Sequence, residues 1–184
     1  MYTYAVVGYF DFEIEAQFKK VWSVLNESNI SNYGVVSNSK RPHITIADYD
    51  NVEKEKFIGM LYNFCSGKSK ISISFNVLGT FLNSGTLFLA PSLSKELTDL
   101  HSSYHTHFDS FNQNHSSLYL PGKWIPHCTI ASRLSDENML QAFQYCKNHL
   151  KGIYGFLSQI ALIEITVNNG IAIEDAVVFS QNLE

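Results

Sequence analysis

A six-residue frame occurs twice in this chain: Pro42-His43-Ile44-Thr45-Ile46-Ala47 and Pro126-His127-Cys128-Thr129-Ile130-Ala131. Only the third position differs. With 7 His in 184 residues, random order would place about 0.3 His-x-Thr triplets in the chain, and the shared Pro, Ile and Ala make two matching frames rarer still. Pro is tolerated at the first residue of a strand, so each frame predicts the start of a β-strand.

The surroundings of the two frames run in the same order. Residues 2 to 10 read as a strand rich in Tyr, Val and Phe. Asp11 is the expected N-cap of a helix whose apolar face is Ile14, Phe18, Val21, Trp22 and Leu25. A polar loop from Ser28 to Arg41 leads to the first frame. Beyond it, Asp50 and Glu53 have the spacing of a capping box for a helix with Phe57, Leu61 and Phe64 inward. Residues 70 to 78 alternate, with Ile71, Ile73, Phe75 and Val77 on one face of a half-buried strand.

The second pass begins with a strand at Thr86–Ala90. Ser92 precedes a helical stripe of Leu93, Leu97, Leu100, Tyr104, Phe108 and Phe111. The loop Asn112 to Lys123 leads through Trp124 to the second frame, Ser135 caps a helix carrying Met139, Phe143, Cys146 and Leu150, and strands near 156 to 167 and 172 to 180 follow. A shift of 84 residues superposes the frames and these elements. The expected fold is therefore α+β and bilobal: two pseudo-twofold-related lobes, about 1–83 and 84–184 of a single domain, each an antiparallel sheet with flanking helices, around a central cleft.

Strand alternation places His43 and Thr45 on one face, about 6 to 7 Å apart, and His127 and Thr129 likewise, with Ile44 and Cys128 turned inward. Across a pseudo-twofold axis this presents two imidazoles and two hydroxyls. An imidazole with an ordinary pKa near 6.5 serves as acceptor or donor of a proton. In-line displacement at phosphorus needs one of each, with neutral donors on the non-bridging oxygens. The competing reading, two satisfied structural histidines, explains either frame alone better than it explains the matched pair. Two imidazoles with Thr and no acid or thiol on the same face make a poor metal site, so neither metal nor cofactor is expected.

The frames resemble those of the 2H phosphoesterase superfamily, also called 2'-5' RNA ligase-like or cyclic phosphodiesterase-like proteins, over essentially the whole chain. Trp124 resembles the aromatic often found upstream of the second motif. The resemblance implies catalysis by His43 and His127, phosphate binding by Thr45 and Thr129, and no metal. It leaves open which histidine is the base. It also implies a substrate that is a small nucleotide, a cyclic oligonucleotide or an RNA terminus, with a 2',3'-cyclic or 2',5'-linked phosphodiester to hydrolyse. A noncatalytic nucleotide- or RNA-end-binding module and an RNA 2'-5' ligase are the alternatives.

Candidate recognition residues are Tyr119, Lys123 and Trp124 before the second frame, and Lys40 and Arg41 before the first, where an aromatic stacks on a base or a cation meets a phosphate. Tyr4 and Phe88, matched by the same shift, are candidates for the cleft floor, with core packing as the competing role. His101, His105 and His107 have helical spacing suited to zinc but no completing acid or thiol, and read as a solvated helix edge. A net charge of -4 and 13 dispersed basic residues argue against a long nucleic-acid groove. The apolar first ten residues are too short to span a membrane and lack the basic start of a signal peptide. Three cysteines, Cys65, Cys128 and Cys146, read as reduced thiols of a cytoplasmic protein. A monomer is expected.

Overall fold

The structure is a computed structural model that describes residues 2–184 except 38, 113, 115, 169 and 170. Those five include three residues of the two predicted loops and two between the last predicted strands. The described elements are β1 (Tyr2–Phe10), α1 (Phe12–Glu27), β2 (His43–Tyr49), α2 (Lys54–Cys65), β3 (Ile71–Thr80), β4 (Leu87–Pro91), α3 (Lys95–His107), β5 (Cys128–Ala131), α4 (Asp136–His149), β6 (Ile153–Asn168) and β7 (Ile171–Asn182).

Helix starts follow local capping chemistry. The Asp11 carboxylate accepts from Ile14 N at 3.0 Å, and the Ser135 hydroxyl accepts from Asn138 N at 3.2 Å. Two starts differ from expectation. The Asp50–Glu53 box does not form, because α2 begins after Glu53, which makes no side-chain cap. Helix α3 is capped by Ser94, not Ser92, which leaves Leu93 65% exposed ahead of the stripe. Val77 also leaves its predicted face, at 56% exposure, because the β3–β4 register shifts between Phe75 and Val77.

The strands form an antiparallel sheet in the order β2-β1-β6-β3-β4-β5, with β7 paired to β6. The strands of the two expected halves are interleaved rather than segregated into one sheet each: β3 of the first half pairs with β4 and β6 of the second, and β6 pairs with β3 through its first residues and with β1 beyond them. The large core, including Ile14, Phe18, Phe57, Phe75, Tyr104 and Phe108, lies between the sheet and the helices. A small second cluster of Ala5, Val7, Tyr9, Ala161 and Ile163 covers part of the other face.

Strands β2 and β5, the two ends of this order, lie side by side. The sheet is therefore curled until its first and last strands meet, and both carry the repeated frame. Each strand also carries the same irregularity. Val6 pairs with Ala47 but Val7 pairs with Thr45, skipping Ile46. Leu87 pairs with Ala131 but Phe88 with Thr129, skipping Ile130. This β-bulge puts two successive side chains on the core side, and Ile46, Ala47, Ile130 and Ala131 all belong to the core. The shared Ile-Ala ending of the frames thus has a structural reason.

Candidate active site

His43 and Thr45 are half-buried while Ile44 and Ile46 are buried, and Thr129 is half-buried between buried Cys128 and Ile130. The alternation expected from the frame therefore holds up to each bulge. The two imidazoles are anchored alike: Nδ1 of His43 is 2.7 Å from Arg41 O and Nδ1 of His127 is 2.8 Å from Ile125 O. A carbonyl oxygen only accepts, so each Nδ1 carries the hydrogen and each neutral ring keeps its lone pair at Nε2. The buried Cys128 sulfur lies on the core side, near the His43 backbone of the other motif strand. Cys128 thus points away from the site, and burial raises its thiol pKa.

Two tryptophans tie each motif strand to the opposite half of the chain. Trp22 Nε1 on α1 donates to Thr129 O at 3.3 Å, and Trp124 Nε1 donates to Thr45 O at 2.9 Å. Trp22 is set by Gly34, where an added Cβ would lie 2.2 Å from the indole. Trp124 is stacked on His101, with centroids 3.9 Å apart and planes 6° apart. Trp124 therefore braces the strand, and one indole face is already occupied.

His101 and His105 are 4% exposed each, which overturns the solvated-edge expectation. They lie on the side of α3 that meets the first motif and the loop before the second. His101 Nε2 donates to Tyr119 O at 2.8 Å, and His105 Nε2 lies 3.2 Å from Ile46 O. Burial lowers the His101 pKa to about 4, against the Tyr119 bond that raises it. Tyr119 turns its hydroxyl to the Thr45 side chain, and burial raises its phenol pKa. His107 packs against Phe64 instead, with centroids 5.5 Å apart.

The surroundings of the two catalytic candidates differ. His127 is enclosed by Phe81 and Phe88, at centroid distances of 4.8 and 5.2 Å. Burial lowers its pKa, opposed by the bond to Ile125 O. His43 stands edge-on to Tyr9, at 6.2 Å. Arg41 stacks on that Tyr9 ring at 3.9 Å. Its guanidinium donates to Glu15 Oε1 at 3.0 and 2.6 Å and to Gln159 Oε1 at 2.8 Å, so most of its donor fork is committed to the protein.

The candidate recognition residues divide. Phe88 faces the site, Tyr119 touches Thr45, and Lys123 is exposed in the loop before Trp124. Tyr4 is displaced along its strand from the place the shift gives it. Its hydroxyl donates to Glu164 at 2.7 Å, and its ring joins the helix-side core while also lining a cavity with Thr45 and Tyr119. The residue opposite Thr45 is Val7, whereas Phe88 is opposite Thr129. The 84-residue shift is thus three residues out on these strands. Phe81 and Tyr9 are contributors that periodicity does not reveal: Phe81 lies in the β3–β4 turn, and Tyr9 reads as an ordinary strand aromatic.

Solved structures share this fold. Escherichia coli LigT in apo form is similar at TM-score 0.66 and 13% identity, over 98% of this chain and 96% of that one. LigT complexed with 3'-AMP is similar at TM-score 0.64 and 12% identity, over the same shares. A protein described as a phosphoesterase is similar at TM-score 0.63 and 11% identity, over 100% and 99%. At such identity the likeness is one of fold. No curated protein sequence matches. The sequence model of the 2'-5' RNA ligase superfamily matches residues 11–169, and by that match the chain belongs to this superfamily, that of the 2H phosphoesterases.

Proposed function

We propose that this protein is a metal-independent phosphodiesterase that uses His43 and His127 as an acid/base pair. Its substrates are 2',3'-cyclic phosphates or 2',5'-linked or cyclic oligonucleotides. The observation that carries the reading is the matched anchoring of the two rings, each held at Nδ1 by the carbonyl two residues back, on two edge strands that lie side by side. Thr45 and Thr129 share the faces of their histidines and supply hydroxyls to the non-bridging oxygens. LigT was crystallised with 3'-AMP and with ATP, which supports a small nucleotide as the ligand class. On this reading the two halves, about 1–83 and 84–184, descend from an internal duplication.

His127 is the base. Its aromatic enclosure favours the neutral ring, whose Nε2 accepts a proton from the attacking water. As the water oxygen bonds to phosphorus, the bond from phosphorus to the ribose oxygen breaks. That oxygen takes its proton from Nε2 of His43, which enters the step as the imidazolium and leaves it as the neutral ring. Opening a 2',3'-cyclic phosphate leaves a monoester and a free hydroxyl.

The test is turnover of a panel of 2',3'-cyclic nucleotides, 2',5'-oligoadenylate and cyclic di- and trinucleotides, with product position read for each. At least one is expected to be cleaved, with a bell-shaped pH profile and about 10²- to 10⁴-fold loss in His43→Ala and in His127→Ala. Tight binding without turnover would instead identify a noncatalytic module, and joining of RNA ends a ligase.

A further inference from the structure

Beside the second motif strand lies a cavity of about 900 Å³ that this reaction does not use. Three segments wall it: the end of α1 with the loop after it, the two residues ahead of β4, and Ser132 to Leu134 after β5. Lys40 and Arg133 stand on the wall, and no carboxylate does. The 84-residue shift carries Asp48, Tyr49 and Asp50 onto Ser132, Arg133 and Leu134. Those first three residues line a smaller cavity of about 250 Å³ beside the first motif strand, which has no Lys or Arg. The linings of the two cavities therefore differ in charge, Lys40 and Arg133 at the one and Asp48 and Asp50 at the other.

The β-ladder locates the larger cavity. Phe88 is opposite Thr129 and faces His127. Thr86, on the cavity wall, is two residues back along the same chain direction, about 7 Å away. Leu134 N donates to Gly85 O at 3.0 Å, whereas Leu87 pairs with Ala131, so one residue is extra between them. Arg133 takes up this bulge with φ 59°, a left-handed backbone that long side chains seldom adopt. A bulge beside a site re-aims a side chain. Gly85 permits the close approach, since a Cβ there would lie 2.5 Å from Leu134 O. On the facing loop, Lys40 Nζ is 4.4 Å from the centre of the Tyr33 ring, and Tyr33 also lines the cavity.

We propose that this cavity is a second anion subsite, which receives a phosphate of the substrate beyond the one being cleaved. The proposal rests on the phosphodiesterase reading above. An arginine fork and an ammonium on a wall without carboxylates suit a phosphate dianion. The acidic cavity across the centre suits the uncharged end, where sugar hydroxyls and base amino groups donate. The substrate then lies in one direction, its additional phosphate toward Arg133.

The experiment compares kcat/KM for adenosine 2',3'-cyclic phosphate with that for its 5'-phosphorylated form and for di- and trinucleotides ending in the same cyclic group. A compound with the added phosphate is expected to be favoured about tenfold or more. The gain should lie in KM and shrink between 50 and 200 mM salt. Arg133→Gln and Lys40→Gln should each reduce the gain, and Arg133→Lys should keep part of it. No gain in the wild type, or the same gain in both Gln variants, overturns the subsite while leaving the phosphodiesterase reading intact. If no compound is turned over, that reading fails, and calorimetric titration of the wild type and both Gln variants with inorganic tripolyphosphate decides the subsite. Binding weakened about tenfold by Arg133→Gln supports it; no binding, or equal binding in all three proteins, overturns it.

Discussion

His101→Gln probes the buried network behind the first motif. Burial lowers the His101 pKa from 6.5 to about 4, with the Tyr119 carbonyl opposing the fall and neighbouring His105 adding to it. A base whose folded value lies below its unfolded value holds fewer protons when folded. Its contribution to stability is therefore complete above pH 6.5 and is lost as the pH falls toward 4. A drop of about 2.5 pH units at about 1.36 kcal/mol each sets a ceiling of about 3 kcal/mol, of which about 2.5 kcal/mol has gone at pH 4.5. Glutamine keeps an N–H for Tyr119 O but takes up no proton. Urea unfolding of both proteins at pH 7.5 and 4.5 gives the comparison, since the other titrating groups cancel in the difference. The wild type should lose about 2.5 kcal/mol more than the variant between the two pH values. Equal losses, within about 0.5 kcal/mol, would show that burial does not hold His101 neutral.

Trp124→Phe removes the donor to Thr45 O and should cost about 1 kcal/mol in chemical unfolding and about tenfold in turnover, with Trp22→Phe milder because its bond is longer, 3.3 against 2.9 Å. Phe81→Ala admits water to His127, whose pKa is lowered chiefly by burial; the acid limb of the kcat/KM profile should move to higher pH, and a limb that stays in place would argue against His127 as the base. Gly34→Ala pushes a methyl against the Trp22 indole and should cost about 1 to 3 kcal/mol, seen as a lower thermal midpoint.

Where a residue's partners are set by local periodicity, the sequence was enough to place it. His43 and Thr45 face away from Ile44, Cys128 turns inward, Asp11 and Ser135 cap helices, and Phe57, Leu61 and Phe64 pack inward. What required the structure depends on residues far apart in the chain. The bulges at Ile46 and Ile130 compress two core side chains into one strand position, a change of pairing that an alternating pattern does not register. The same changes of register undo the Tyr4–Phe88 match. His101 and His105 look like polar positions on an amphipathic helix, yet carbonyls of β2 and of the loop before Trp124 satisfy them inside the molecule. The Asp50 box fails because spacing supplies a capping residue without fixing where the chain turns into the helix.

The meeting of β2 and β5 has a mechanical consequence. A sheet end normally offers its free backbone groups to any passing strand, but here one end closes on the other and two indoles pin the seam from opposite halves of the molecule. A ligand that wedged β2 and β5 apart would strain the Cys128–His43 contact and both tryptophan bonds together. On the proposed reading, the spacing between the histidine-bearing strands is a fixed gauge for the size of the reacting group.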